Sequence, residues 1–273
     1  MDLNTVEAVH FPTCRDEVWP LRPGDAILAG GTWLFSEPQP TVSRLIDITG
    51  LGWPSVTFTE EGVEVAATCT LDEIAALSEA LPANQPNWSA APLFGQCCDA
   101  LLASFKIRRS ATVGGNICLS FPAGAMISLG SALDAALTIW RADGSEYRVP
   151  VPEFVTGPAT NRLAPGDLLR AVHFPAAALR SRTAYRKLAP SVLGRSSVVV
   201  IGRRSDSEFA VSVTAATVRP FVFRFSRIPP KEELLEQIAE LPMSVWTSDA
   251  HGDPDWRRAV ALVLAEQVRQ ELR

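Results

Sequence analysis

Two glycine-centred segments, Ala29-Gly30-Gly31-Thr32 and Ala111-Thr112-Val113-Gly114-Gly115-Asn116, hold the residues whose types and spacing can do chemistry. Each follows an apolar stretch, Ala26-Ile27-Leu28 before the first and Leu101-Leu102 onward to Ile107 before the second. Glycine tolerates positive φ and carries no Cβ, so consecutive backbone N–H groups can converge on one anion. Thr32, Thr112 and Asn116 add short hydroxyl and amide groups beside those turns. Two such segments imply a ligand with two phosphates, although either one alone also reads as an ordinary turn. No Gly-Lys-Ser/Thr follows the glycines and no Gly-x-Gly-x-x-Gly opens a helix, which disfavours Walker and Rossmann nucleotide folds.

The chain has 273 residues, 47% hydrophobic and 20% charged, which suits two domains or one large one with a real core. Its formal net charge of −5 sets up no global basic field for nucleic acid or an anionic membrane. The local run Lys106-Ile107-Arg108-Arg109 just before the second glycine segment is the exception, either a solvated helix end or a group facing an anion. The first residues carry no signal-peptide pattern, and no apolar run nears the roughly 20 residues of a membrane span. A soluble cytoplasmic protein is expected. Five cysteines without a C-x-x-C pair fit neither a disulfide framework nor a zinc or iron–sulfur site, so reduced, mostly buried thiols are expected. Any redox centre is then an organic cofactor or lies on another chain.

Three stretches must position the glycine segments. To about Leu51 the chain reads as a small α/β unit with strands at Ala26–Leu28 and Ser43–Asp47. A hairpin over Val56–Ala66 follows, then a helix opened by Thr70-Leu71-Asp72-Glu73 and running to about Ala80, and a helix over Ala91–Phe105. Met126–Leu133 reads as an apolar helix, Ala136–Trp140 as a strand turning at Asp143-Gly144 into Tyr147-Arg148-Val149, and Leu168–Phe174 as another strand. Beyond Pro175 the pattern shifts to strands at Ser196–Arg203 and Phe209–Val218 and amphipathic helices at Lys231–Leu241 and Asp255–Leu272. The class is α+β.

Leu28-Ala29-Gly30-Gly31-Thr32-Trp33-Leu34 and Ile107-Arg108-Arg109-Ser110-Ala111-Thr112-Val113-Gly114-Gly115-Asn116-Ile117 resemble two loops of the FAD-binding medium subunit of molybdenum hydroxylases, the carbon monoxide dehydrogenase and xanthine dehydrogenase family. The likeness continues through Ala132–Ala135, Gly166–Leu169 and the closing His251-Gly252-Asp253-Pro254-Asp255-Trp256-Arg257. It implies a two-subdomain FAD-binding fold of the vanillyl-alcohol-oxidase/PCMH type, with subdomains at residues 1–55 and 56–178, plus a C-terminal antiparallel-sheet-and-helix domain at 179–273. By the same resemblance Leu28, Ala29, Gly30, Gly31, Thr32, Trp33 and Leu34 form one cradle for FAD, and Thr112, Gly114, Gly115 and Asn116 a second. Amides from both loops would then neutralise the pyrophosphate without a lysine. Leu169, Arg186 and Lys187 occupy places where the family meets the flavin end.

The implied function is electron transfer: a large subunit with a molybdenum cofactor hydroxylates the substrate, a small subunit relays electrons through [2Fe–2S] clusters, and FAD passes them to NAD, a quinone or oxygen. No catalytic acid or base and no metal ligand is expected on this chain. Two departures stand out. Ala125 replaces an aspartate usual nine positions after the asparagine, and Trp33 an acidic residue usual after the threonine. They keep open the alternative of a structural or assembly subunit with weakened or lost FAD binding. A stand-alone flavin oxidase ranks last, because none of the three histidines stands out as a substrate base.

Overall fold

The computed structural model describes residues 3–191 and 194–273, in which three main sheets follow one another along the chain. The first is parallel, in the order β1-β3-β2, from β1 (Ala8–His10), β2 (Asp25–Leu28) and β3 (Arg44–Asp47). Arg44 Nε donates to Asp25 Oδ1 at 2.8 Å and pins the start of β2 to β3. Hydrogen bonds from Arg44 hold the Asp25 carboxyl below the usual carboxylate range. The first glycine segment therefore leaves the carboxyl end of a fixed strand, the end at which parallel sheets present ligand loops.

The second sheet is antiparallel, in the order β4-β5-β10-β6-β7. The hairpin of β4 (Val56–Thr59) and β5 (Gly62–Ala66) leads to α1 (Leu71–Asn84), α2 (Pro92–Ala100), α3 (Phe105–Ser110), α4 (Val113–Cys118) and α5 (Ala125–Ala132). Strands β6 (Ala136–Trp140) and β7 (Glu146–Pro150) precede α6 (Val151–Phe154) and a small β8 (Val155–Gly157) and β9 (Thr160–Asn161) pair. The central β10 (Leu168–Pro175) then runs between β5 and β6, ending at α7 (Ala176–Leu179). A reciprocal capping box opens α1: Thr70 N–H donates to Glu73 Oε2 at 2.7 Å and Glu73 N–H to Thr70 Oγ1 at 3.2 Å. The helix outruns its expected end at Ala80 and passes Pro82, its buried Leu77 and Leu81 holding the last turns on the core.

The helix expected over Ala91–Phe105 is two helices. Ser104 accepts the Ile107 N–H at 3.4 Å and starts α3 afresh, leaving Leu101–Ala103 as an extended link. All eight residues of α5 are buried, because this helix is packed on both sides, against α2 and against the third sheet.

That third sheet is antiparallel, in the order β11-β12-β13-β14, from β11 (Arg182–Leu188), β12 (Val198–Arg204), β13 (Phe209–Thr214) and β14 (Phe221–Phe225). Helices α8 (Lys231–Ala239) and α9 (Pro254–Glu271) complete it. Gly202 on β12 lets α9 lie directly on the sheet, since a Cβ there would stand 2.1 Å from Val268 Cγ1. The strand expected to reach Val218 stops at Thr214, where Ala215 turns to φ 62°. Between the second and third sheets, Ser128 and Thr214 share a buried hydroxyl contact at 2.7 Å, and nearly buried Arg203 pairs with Asp134 and Glu208. The five cysteines are free; burial pushes the thiols of Cys69, Cys98 and Cys118 up to about 12. Such thiols stay protonated and inert. Among the described residues no helix is long and apolar enough to cross a membrane.

A ladder of cations and indoles joins the first segment to the second sheet. The Arg170 guanidinium lies 4.4 Å from the Trp53 ring centre and 5.7 Å from that of Trp140, while Arg15 covers Trp140 at 4.6 Å. Arg170→Leu is expected to cost about 1–2 kcal/mol of stability, a melting-temperature fall of a few degrees. Arg141→Leu, which loses a contact to Tyr147 alone, should cost less than about 1 kcal/mol. Equal melting curves for both variants would contradict this role of the ladder.

Candidate functional site

A cleft of about 870 Å³ opens where the three sheets meet, at the upper end of the size usual for cofactor sites. Its walls are Ala29–Leu34, the Leu101–Ala103 link with Ile107, α4 with Thr112, the Leu119–Gly124 turn, Leu168 and Leu169 of β10, and Arg195 and His251 from the C-terminal part. Most of this lining is apolar, with few polar groups converging on it.

The two glycine segments touch each other. A Cβ on Gly30 would stand 1.8 Å from the Ser110 carbonyl oxygen, so only glycine lets the first loop rest on the backbone leading into α4. Gly31 has φ 67°, in the left-handed region that favours glycine. Its turn is closed by the Phe35 N–H donating to the Gly31 carbonyl at 2.8 Å. Trp33 leaves this turn and packs edge-on against Phe121, ring centres 4.8 Å apart, across the cleft's wall.

The N–H groups of the two segments are used differently. Among the described residues, those of Gly30, Gly31, Thr32, Trp33 and Leu34 meet no protein acceptor. In the second segment the amides of Val113 to Asn116 are committed: Val113 donates to the Cys69 carbonyl and Gly114 to that of Ala67, both at 2.8 Å, Gly115 to Thr112 Oγ1 at 3.1 Å, and Asn116 to the Thr112 carbonyl at 2.9 Å. The expectation that both loops lend amides to an anion is therefore corrected. The first offers donors; the second is a helix start, capped by Thr112 and stitched to the 67–71 segment. What it contributes is proximity and space. Gly114 faces Ala67, whose carbonyl oxygen would lie 2.8 Å from an added Cβ, whereas a Cβ on Gly115 would meet only Thr112 Oγ1 at 3.1 Å.

Asn116 lines the cleft, yet its carboxamide oxygen accepts the Met126 N–H at 2.9 Å and so caps α5. The same bond fixes which end of the carboxamide is the NH2, the group left to donate elsewhere. Ala125, the first residue of α5, is buried in the core and does not line the cleft, while its neighbours Ala123 and Gly124 do.

Of the residues singled out from sequence, Ala29 to Leu34, Thr112, Gly114, Gly115, Asn116 and Leu169 share the cleft. Leu28 stands behind the Gly31 turn, its Cδ1 3.1 Å from where a Gly31 Cβ would be. Arg186 and Lys187 do not line it. Strand alternation turns Arg186 toward α9, where Nη2 donates to Glu271 Oε2 at 2.5 Å, and Lys187 Nζ donates to the Asp99 carbonyl at 3.3 Å. Sequence reasoning missed Arg195, His251, Phe121 and the Leu101–Ala103 link. The break before Ser104, a residue type that starts helices, was the one local signal for that link.

Residues 8–177 match the family model of the FAD binding domain in molybdopterin dehydrogenase. The fold of the whole chain is similar to a chain of quinoline 2-oxidoreductase from Pseudomonas putida 86, with a TM-score of 0.78 and 18% identity over 100% of this chain and 98% of that one. It is similar also to a chain of carbon monoxide dehydrogenase from Hydrogenophaga pseudoflava, in a form lacking the Mo-pyranopterin moiety of the molybdenum cofactor, with a TM-score of 0.78 and 19% identity over 97% and 96%. A chain of the reconstituted CO dehydrogenase from Oligotropha carboxidovorans gives 0.73 and 20% identity over 90% and 89%. Identities this low speak for the fold alone, and no curated protein sequence matches. With the family model spanning more than half of its residues, the chain belongs to the family of FAD-binding domains of molybdopterin dehydrogenases.

Proposed function

We propose that this chain holds FAD in the cleft as the electron-transfer subunit of a molybdenum-containing hydroxylase or dehydrogenase complex. The observation that carries this reading is the row of uncommitted amides from Gly30 to Leu34 at the edge of a cleft wide enough for a dinucleotide, in a chain whose family is FAD-binding. Consecutive N–H donors beside a glycine turn suit a pyrophosphate. The Thr112 hydroxyl and the Asn116 NH2 supply further donors, and Leu101, Leu102, Ile107, Leu119 and Leu169 form an apolar slot for a planar ring. When bound, FAD supplies the chemistry of accepting and passing on electrons; this chain binds, orients and shields it.

In this reading a molybdopterin-binding large subunit and a [2Fe–2S] small subunit are the partners, and NAD, a quinone or oxygen the final acceptor. The cleft mouth supports a partner: Leu102 and Phe105 are 66% and 63% exposed, Ile107 is exposed on the same helix as Phe105, and Lys106 and Arg109 flank them. An apolar patch rimmed by charge is typical of a protein contact. The second reading, a structural subunit with weak or no FAD, is motivated by the alanine at position 125.

The purified chain is expected to carry visible flavin absorbance or to gain it with added FAD, and a native pull-down to bring a molybdenum-containing and an iron–sulfur chain with it. Colourless protein that refuses FAD would favour the structural subunit. Two neighbouring glycines separate fold from cleft. Gly115→Ala should change stability by no more than about 1 kcal/mol, the helix preference of alanine offset by a Cβ 3.1 Å from the capping Thr112 Oγ1, yet weaken FAD binding at least tenfold. Gly114→Ala should destabilise by about 1–3 kcal/mol through overpacking on Ala67. Wild-type FAD affinity in Gly115→Ala would place the cofactor elsewhere.

A further inference from the structure

We infer that Arg195 and His251 are the donors that hold the ring end of FAD and stabilise its reduced form. The inference rests on the FAD reading above and goes beyond it, because both residues lie outside the 8–177 segment that carries the family match. Arg195 and His251 line the same cleft as the glycine segments. Among the described residues, neither the Arg195 guanidinium nor the His251 ring has a hydrogen-bond acceptor on the protein. A guanidinium has five donors and no acceptor, so in a cleft it calls for an electron-rich ligand edge.

The fold spends a buried arginine on fixing these two residues. Arg257 is 1% exposed, and its Nη1 donates to the carbonyls of Ser197 at 2.8 Å and Ala215 at 2.9 Å. Its Nε donates to the Gly252 carbonyl at 3.1 Å, and Nη2 pairs with Asp249. Asp249 also accepts the His251 N–H at 2.8 Å, and Ser197 Oγ donates to the His251 carbonyl at 2.6 Å. On the other flank, buried Ser196 donates to the Ala100 carbonyl at 2.8 Å, which seats Arg195 beside the Leu101–Ala103 link. One buried guanidinium thus locks both the turn that carries His251 and the strand entrance that carries Arg195. Arg195 also acts on Arg257 as a like charge, so the pair adds positive potential at this end of the cleft.

Two observations assign these donors to the ring rather than to the phosphates. The uncommitted amides of Gly30 to Leu34 are donors for an anion at the first loop, and Arg195 instead adjoins Ser196, which is bonded to Ala100 at the start of the apolar Leu101–Ala103 link. The acceptors left on FAD are the ring carbonyls and nitrogens, where charge develops on reduction, and a cation there favours the reduced form. Asp167, the carboxylate of the cleft, is already held by the Tyr147 hydroxyl at 2.8 Å and the Ala164 N–H at 3.1 Å. Lys187 donates to the Asp99 carbonyl instead, so among the described residues Arg195 is the arginine or lysine that lines the cleft.

The test uses the full chain saturated with FAD and reads the flavin reduction potential, the FAD dissociation constant and the melting temperature. Arg195→Met should lower the potential and weaken FAD binding at least tenfold at an unchanged melting temperature of the FAD-free protein, and Arg195→Lys should recover part of the potential. His251→Leu should act in the same direction by a few-fold, and Arg186→Met, off the cleft, should leave both flavin readouts at wild-type values. Weaker binding at an unchanged potential would put Arg195 on the phosphates and overturn the assignment, as would variants that match wild type in both. A wild-type chain that takes up no flavin would instead overturn the function on which the inference stands.

Discussion

Ala67 carries the contact on which the cleft depends. Its N–H donates to the Arg170 carbonyl at 3.0 Å and its own carbonyl accepts the Gly114 N–H at 2.8 Å. One residue thereby ties the middle of the antiparallel sheet to the start of α4. Arg170 sits where the β10–β6 register slips between Leu169 and Ala171, so Leu169 faces the cleft while Arg170 grips Trp53 and Trp140. Sheet, helix start and first subdomain are held through one short run of backbone.

Because α4 is fixed in this way, the first loop has a surface to lean on, and the absence of a side chain at Gly30 brings it against Ser110. The two glycine segments divide the work. The second uses the amides of Val113 to Asn116 internally, which makes it rigid and leaves the Thr112 hydroxyl and the Asn116 NH2 as its side-chain donors. The first keeps its amides uncommitted, which is costly unless water or a ligand meets them. That division is the physical reason the segments look alike in sequence and act differently. The third sheet closes the arrangement through α5, whose burial between layers couples the cleft wall to the part that carries Arg195 and His251.

Much of this was legible in the sequence. The capping residues of α1, the apolar α5, the β6–β7 hairpin at Asp143-Gly144 and both glycine segments announce themselves by local chemistry. Strand β11 did not, because Arg182, Arg186 and Lys187 interrupt any apolar alternation, and β14 is a short strand signalled only by its alternating phenylalanines. The use of the second loop's amides was not legible either: its acceptors are carbonyls of Ala67 and Cys69, and backbone carbonyls leave no mark in sequence. Arg186 and Lys187 were placed by resemblance, and strand alternation with an α9 partner turned Arg186 away. His251 lies more than a hundred residues from either loop, so tertiary contacts through Ser197, Asp249 and Arg257 bring it to the cleft.

Amide hydrogen exchange with and without FAD tests the central claim most directly. Val113 to Asn116 should exchange slowly in both states, their protons already held by protein carbonyls and Thr112, while Gly30 to Leu34 should exchange quickly alone and slow markedly once FAD is bound. Fast exchange at Val113 to Asn116 that FAD suppresses, with Gly30 to Leu34 unaffected, would contradict the account.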